Sequence, residues 1–140
     1  MNRIGKASPN LWIIYSDDKK KYGGIDSYGN NIIPFEYDYI SNSVSAGQYE
    51  LLFAIKDNKF GFLDTTGKIV IPLMYEHVNI FKEDLASAEL NGKYGFINVH
   101  NEVKIPFIYD KADWFFNGKA EVTLNGKKVY IDKSGKIIEQ

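Results

Sequence analysis

An all-β fold built from antiparallel β-hairpin repeats is predicted by three features of this 140-residue sequence. A segment of about 34 residues recurs along the chain, and every copy carries its own turn signals at fixed places. No stretch keeps helical spacing for long. The aromatic load is high, with ten tyrosines and nine phenylalanines, and such side chains suit pleated, half-buried surfaces.

The repeat is anchored on a lysine before an aromatic–glycine pair. The anchors Lys21, Lys59, Lys93 and Lys127 stand 38, 34 and 34 residues apart. The first three are each followed, thirteen positions on, by Pro34, Pro72 and Pro106, and three positions later by Tyr37, Tyr75 and Tyr109. A period near 34 falls in the range of modular repeat folds. The predicted organisation is a single domain spanning 1–140. An N-terminal strand segment at about 11–20 precedes repeats at 21–58, 59–92, 93–126 and a truncated 127–140, with Gln140 standing where a proline is due. Stacking as a solenoid-like array is favoured, because 34 residues is short for a four-stranded propeller blade. A small propeller-like ring is the alternative.

The elements follow in order. LWIIY (residues 11–15) reads as the first strand, with Trp12 shielding that end of the core. The run Lys19-Lys20-Lys21 reads as a solvated turn. The hairpins turn at Asp57-Asn58, Asn91-Gly92 and Asn125-Gly126. Asn-Gly between two strands is the strongest short signal of a tight turn, since both central residues need positive φ. A second turn, D-x-x-G, recurs at 26–29, 64–67 and 132–135, with Asn98-Val99-His100-Asn101 in the third copy. Its first residue accepts turn amides and its fourth takes the left-handed conformation, so these aspartates read as turn-formers. The strand beyond ends at proline, which cannot donate to a ladder. A weaker fourth strand closes each unit. SNSVSAGQYE (residues 41–50) lacks alternation and reads as an enlarged loop. The in-strand glycines Gly23, Gly61 and Gly95 imply close approach by another backbone or by a ring, and a large neighbouring side chain, such as the tyrosine after the proline, is the favoured reading.

Taken together, these residues resemble the WG (KWG) repeat family of bacterial proteins. The aromatic–glycine element is Tyr22-Gly23, Phe60-Gly61 and Tyr94-Gly95. Ile25-Asp26, Leu63-Asp64, Ile97-Asn98 and Ile131-Asp132 supply the second element. Tyr37-Asp38, Tyr109-Asp110 and the near match Tyr75-Glu76 supply the last. No copy carries tryptophan at the namesake position. The resemblance covers about residues 20–140 and implies a β-rich repeat module; it implies no active site.

Composition and motifs exclude several chemistries. Seventeen basic and 18 acidic residues leave a net charge of −1, without the positive excess that nucleic acid demands. There is no cysteine, so disulfides and thiol catalysis are absent. The one apolar run near the N-terminus, residues 11–15, falls short of a signal-peptide core or a membrane span, and a cytoplasmic location is expected. His77 and His100 have no metal-ligand spacing and read as loop residues. No serine sits in a nucleophile-elbow motif, and no phosphate loop is present. The expectation is therefore a non-enzyme without cofactor or metal, with a hydrolase built on an unrecognised carboxylate pair as the weaker option.

Trp114-Phe115-Phe116 is the stretch that points to binding. Phe115 matches Phe81 in the repeat and belongs to the core, so the flanking Trp114 and Phe116 face the other way, unless the strand is bulged. Together with Tyr49 and Tyr39 they are the candidate contact residues. The expected role is a monomeric binding or scaffold module for a protein partner, an immunity or regulatory one among the options. Carbohydrate or cell-wall binding is the alternative, and neither nucleic acid nor membrane is an expected partner.

Overall fold

A computed structural model describes residues 2–139, with side chains from Gly5 to Ile138; Gln140 lies outside them. Among the described residues there are sixteen strands and no helix. They form four separate four-stranded antiparallel sheets, none closed into a barrel, in the serial order of a solenoid-like array. By packing, the chain divides into two compact units, Met1–Leu73 and Met74–Gln140.

In the first unit, β1 (Asn2–Ser8), β2 (Leu11–Ser16), β3 (Lys21–Ile25) and β4 (Asn31–Tyr37) make one sheet. β5 (Tyr39–Ala46), β6 (Tyr49–Lys56), β7 (Lys59–Asp64) and β8 (Ile69–Tyr75) make the next. The unit boundary falls inside β8. Leu11, Ile13, Ile33 and Tyr37 of the first sheet share a core with Ile40, Leu52, Ala54 and Leu63 of the second.

The second unit repeats this plan with β9 (His77–Val78), β10 (Ala86–Leu90), β11 (Lys93–Ile97) and β12 (Val103–Tyr109). Its second sheet contains β13 (Lys111–Ala112), β14 (Lys119–Leu124), β15 (Lys127–Asp132) and β16 (Ile137–Glu139). Phe96, Ile105 and Tyr109 pack on Phe115, Ala120, Val122, Val129 and Ile131. The Phe96 and Phe115 rings meet edge to face at 4.8 Å. Each sheet after the first begins just after a Tyr-Asp or Tyr-Glu pair, so the weak fourth strand of one repeat is the first strand of the following sheet.

The turns obey their chemistry. Asn91, Asn125, Asp57 and Asn58 all have positive φ, between 51° and 63°. Asp26, Asp64, Asn98 and Asp132 each accept the amides two and four residues on. The fourth turn residue is left-handed in every copy: Gly29, Gly67 and Gly135 near 86–89°, and Asn101 at 60°. Asparagine is among the residues that adopt this conformation most readily, and the Asn101 Oδ1 accepts the Tyr75 hydroxyl at 2.5 Å.

Of the two expected causes, backbone approach accounts for the in-strand glycines, and the favoured tyrosine does not. Tyr22 pairs with Tyr37 and Gly24 with Ile33, so Pro34, Phe35 and Glu36 all stand opposite Gly23. The same two-residue bulge places Pro106, Phe107 and Ile108 opposite Gly95. A Cβ on Gly95 would lie 2.6 Å from the Ile105 carbonyl oxygen and 2.8 Å from the Pro106 carbonyl carbon. On Gly61 it would meet the Ile71 oxygen, and the Pro72 oxygen at 2.8 Å. The backbone around each proline, joined at Gly23 by the Phe35 ring, is what excludes a side chain; the tyrosine is not. The proline lies in the last strand of its sheet, where a missing donor costs least.

Four other expectations change. LWIIY is the second strand, since β1 precedes it and pairs along it. Trp12 points away from the Leu11–Ile13 core face, with the Lys6 ammonium 5.5 Å above its ring. Residues 41–50 are not a loop: they are the ends of β5 and β6, closed by the Ala46–Tyr49 pair, with a bulge between Ile40 and Ser43. The bulge shifts the side-chain parity, which erased the alternation from the sequence. His77 lies in β9, its ring 6.4 Å from that of Tyr94, while His100 is in a turn.

Candidate functional site

The second sheet of the second unit has one face in the core and the other in solvent. Ala120, Val122, Val129 and Ile131 fill the inner face. Glu121, Thr123, Lys128 and Tyr130 alternate with them and therefore point outward. Tyr130 holds the register of Phe62 and Phe96, both fully buried, so a core position has acquired a hydroxyl where its face is open. That hydroxyl donates to Glu121 Oε2 at 3.2 Å across the strand pair.

Beside this face, the turn between β13 and β14 carries the aromatic run. Phe116 and Lys119 bridge each other through backbone hydrogen bonds, with Asn117 and Gly118 at positive φ between them. The Asp113 amide donates to Glu121 O at 2.9 Å, which fixes the entry to the turn. Phe115 is 1% exposed and anchors in the core, and the parity thus fixed turns its neighbours outward: Trp114 is 46% exposed and Phe116 is 68% exposed. The adjacent turn reinforces the geometry, because Glu83 Oε1 accepts the Gly118 amide at 2.9 Å.

Trp114, Phe116 and Tyr130 line a shallow cavity of about 350 Å³ with Asp113, Glu121 and Lys119. A second hollow of about 270 Å³ shares Asp113 and Glu121 and continues past Lys111, Thr123 and Lys128. Two ring faces carry an ammonium group from the protein itself. Lys119 Nζ lies 4.9 Å from the Tyr130 centroid, and Lys82 Nζ lies 5.8 Å from that of Trp114. Lys128 Nζ is 3.7 Å from Glu121. The arrangement supplies three π surfaces, two carboxylates and an ammonium group, which is equipment for holding a ligand by stacking and hydrogen bonding.

The other two predicted contact residues lie in the first unit. Tyr39 is 40% exposed and belongs to an edge-to-face row, 5.4 Å from Tyr22 and 6.4 Å from Phe53. Tyr15 and Phe60 extend that row to 5.1 Å from Tyr22 and 5.3 Å from Phe53. Its rings spend much of their surface on each other. Tyr49 closes the tip of the β5–β6 hairpin. The hollow thus brings the predicted Trp114 and Phe116 together with Tyr130, Asp113, Glu121 and Lys119, which sequence reasoning did not single out. The available signal was the polar replacement of the Phe62/Phe96 register by Tyr130.

Within each unit the two sheets are linked by an acid that follows a repeat tyrosine. Asp38 accepts the Lys21 ammonium at 2.5 Å and the Asp57 amide at 2.8 Å. Asp110 does the same with Lys93 at 2.6 Å and Gly126 N at 2.9 Å. Lys21 and Lys93 hold these carboxyls below their ordinary range, and the turn amides add to the effect. Asp26 and Asp132 are lowered by the side chains of Asn30 and Ser134 and by turn amides. These acids hold the fold together. Among the described residues no three His, Asp or Glu side chains gather closely enough to hold a metal ion.

No curated protein and no solved structure gave a significant match. The family described as WG containing repeat matches residues 22–59, 60–94 and 94–127, consecutive segments that run from β3 to the start of β15. With most of its length matched repeat by repeat, this chain belongs to the WG-repeat family.

Proposed function

We propose that the chain is a non-catalytic binding module that recognises a protein partner, of an immunity or regulatory kind, through the Trp114–Phe116 face. The observation that carries this reading is the pair of exposed rings on either side of a fully buried Phe115. Large aromatic groups held outward on a rigid base are the residues that dominate protein interfaces, and they present area at little conformational cost. Repeat folds suit the task, because neighbouring sheets brace one another while turns vary.

Carbohydrate binding is the second reading. It is favoured by the same cavity, whose rings and carboxylates offer both a stacking surface and hydroxyl partners. The two are separated by immobilising the native chain and its Trp114→Ala and Phe116→Ala variants. Each is exposed to lysate of the source cell and, separately, to purified peptidoglycan. A protein retained by the native chain and lost from both variants, then reproduced with purified components, supports the first reading. Retention on wall material, lost in Trp114→Ala, supports the second.

A further inference from the structure

We infer that the Trp114–Phe116–Tyr130 cavity takes a guanidinium group, so that the partner segment docks by presenting an arginine. This rests on the protein-partner reading and names the chemistry of the contact. The rings are already used as cation seats: Lys119 sits 4.9 Å over Tyr130 and Lys82 sits 5.8 Å over Trp114. The π faces are therefore oriented and exposed such that a positive charge reaches them. Phe116, the most exposed of the three, lines the same hollow. Within the lining, Asp113 and Glu121 outnumber the single ammonium of Lys119.

A guanidinium fits this set better than an ammonium. It is planar, more weakly hydrated and able to stack on a ring while its edge bonds a carboxylate in two places. Lys119 is a flexible chain whose ammonium can return to water when the flat group arrives. A neutral sugar would stack equally well on the rings but has no charge for Asp113 and Glu121. The lysines of the adjoining hollow, Lys111 and Lys128, bear on the other side of Glu121, and Lys128 is within 3.7 Å of it. An incoming arginine thus has Asp113 and Glu121 within the hollow and competes with Lys128 for Glu121.

The test uses the full chain labelled with ¹⁵N. Its two tryptophans, Trp12 and Trp114, are told apart by a Trp12→Phe variant. A blocked Gly-Arg-Gly peptide is titrated in and the Trp114 indole N–H resonance followed. The expected result is a saturable shift, weaker by about tenfold for the isosteric citrulline peptide. Asp113→Asn and Glu121→Gln should each weaken the arginine response severalfold, and amide spectra verify that both remain folded. An unmoved indole resonance overturns the assignment, as does an equal response to citrulline or a response to chitooligosaccharide alone. A Trp114-dependent protein partner that binds while the arginine peptide does not would refute the guanidinium and leave the binding module standing. Loss of both would refute both.

Discussion

The segment after each repeat tyrosine does different work in the two units. In the first unit it grows into the β5–β6 hairpin, which buries Ala46, Leu51, Leu52 and Ala54. In the second unit it is a two-residue strand and a tight turn that exposes Trp114 and Phe116. Eight residues past the proline, Asn42 stands in the first case and Trp114 in the second. The repeat thus fixes where a variable segment departs from the sheet, while the local sequence decides whether that segment adds core or offers a surface. Length alone does not mark the exposed element: the longer insertion adds core and the shorter one carries the exposed rings.

The largest effects should come from the buried anchors on both sides of this comparison. Phe115→Ala empties a position packed against Phe96 and is expected to cost about 3–5 kcal/mol, read from urea denaturation of the full chain. Leu52→Ala in the hairpin should cost about 2–5 kcal/mol. An effect near zero for Leu52 would show that the hairpin is an appendage and would remove the contrast. Gly95→Val forces a side chain into the proline bulge and should cost about 1–3 kcal/mol or more, since backbone cannot move aside as a flexible side chain does. Asn125→Ala, at a φ of 51°, should cost about 1–2 kcal/mol by forcing alanine into the left-handed region.

Acid titration gives a further effect of known sign. The folded-state carboxyls of Asp38 and Asp110 are depressed by Lys21 and Lys93. Their contribution is complete above the unfolded value of about 3.9 and is lost as pH falls through the lower folded value. Asp38→Asn and Asp110→Asn should therefore flatten the fall in stability below about pH 4, measured by thermal melts across pH. The smallest change in stability is expected for Trp114→Ala and Phe116→Ala, within about 1 kcal/mol, because both rings are already exposed. A large loss there would return the rings to the fold and break the distinction between the two segments.

Much of the fold was legible because turn chemistry is local. Positive φ at Asn91-Gly92 and Asn125-Gly126, and the amides accepted by Asp26, Asp64 and Asp132, depend on residues within four positions of each other. Phe115 was legible because Phe81 shares its register, and once Phe115 is inward the alternation turns Trp114 and Phe116 outward. The hairpin at 41–50 was hidden because its bulge breaks that alternation. Tyr130 and Glu121 were hidden because they meet Trp114 only through strand pairing and the turn, so no short motif joins them.

By itself, then, the sequence determined the repeat, its turns, its inward residues and its two outward rings, since each follows from backbone preference or from a period of two. Only the tertiary structure decided why the repeat needs glycine, which face of the fourth sheet is open, and which acids and lysines join the rings. Those outcomes depend on the spacing between chains distant in sequence. A proline bulge crowding Gly95, or a core register opened to solvent at Tyr130, exists only after the sheets have packed.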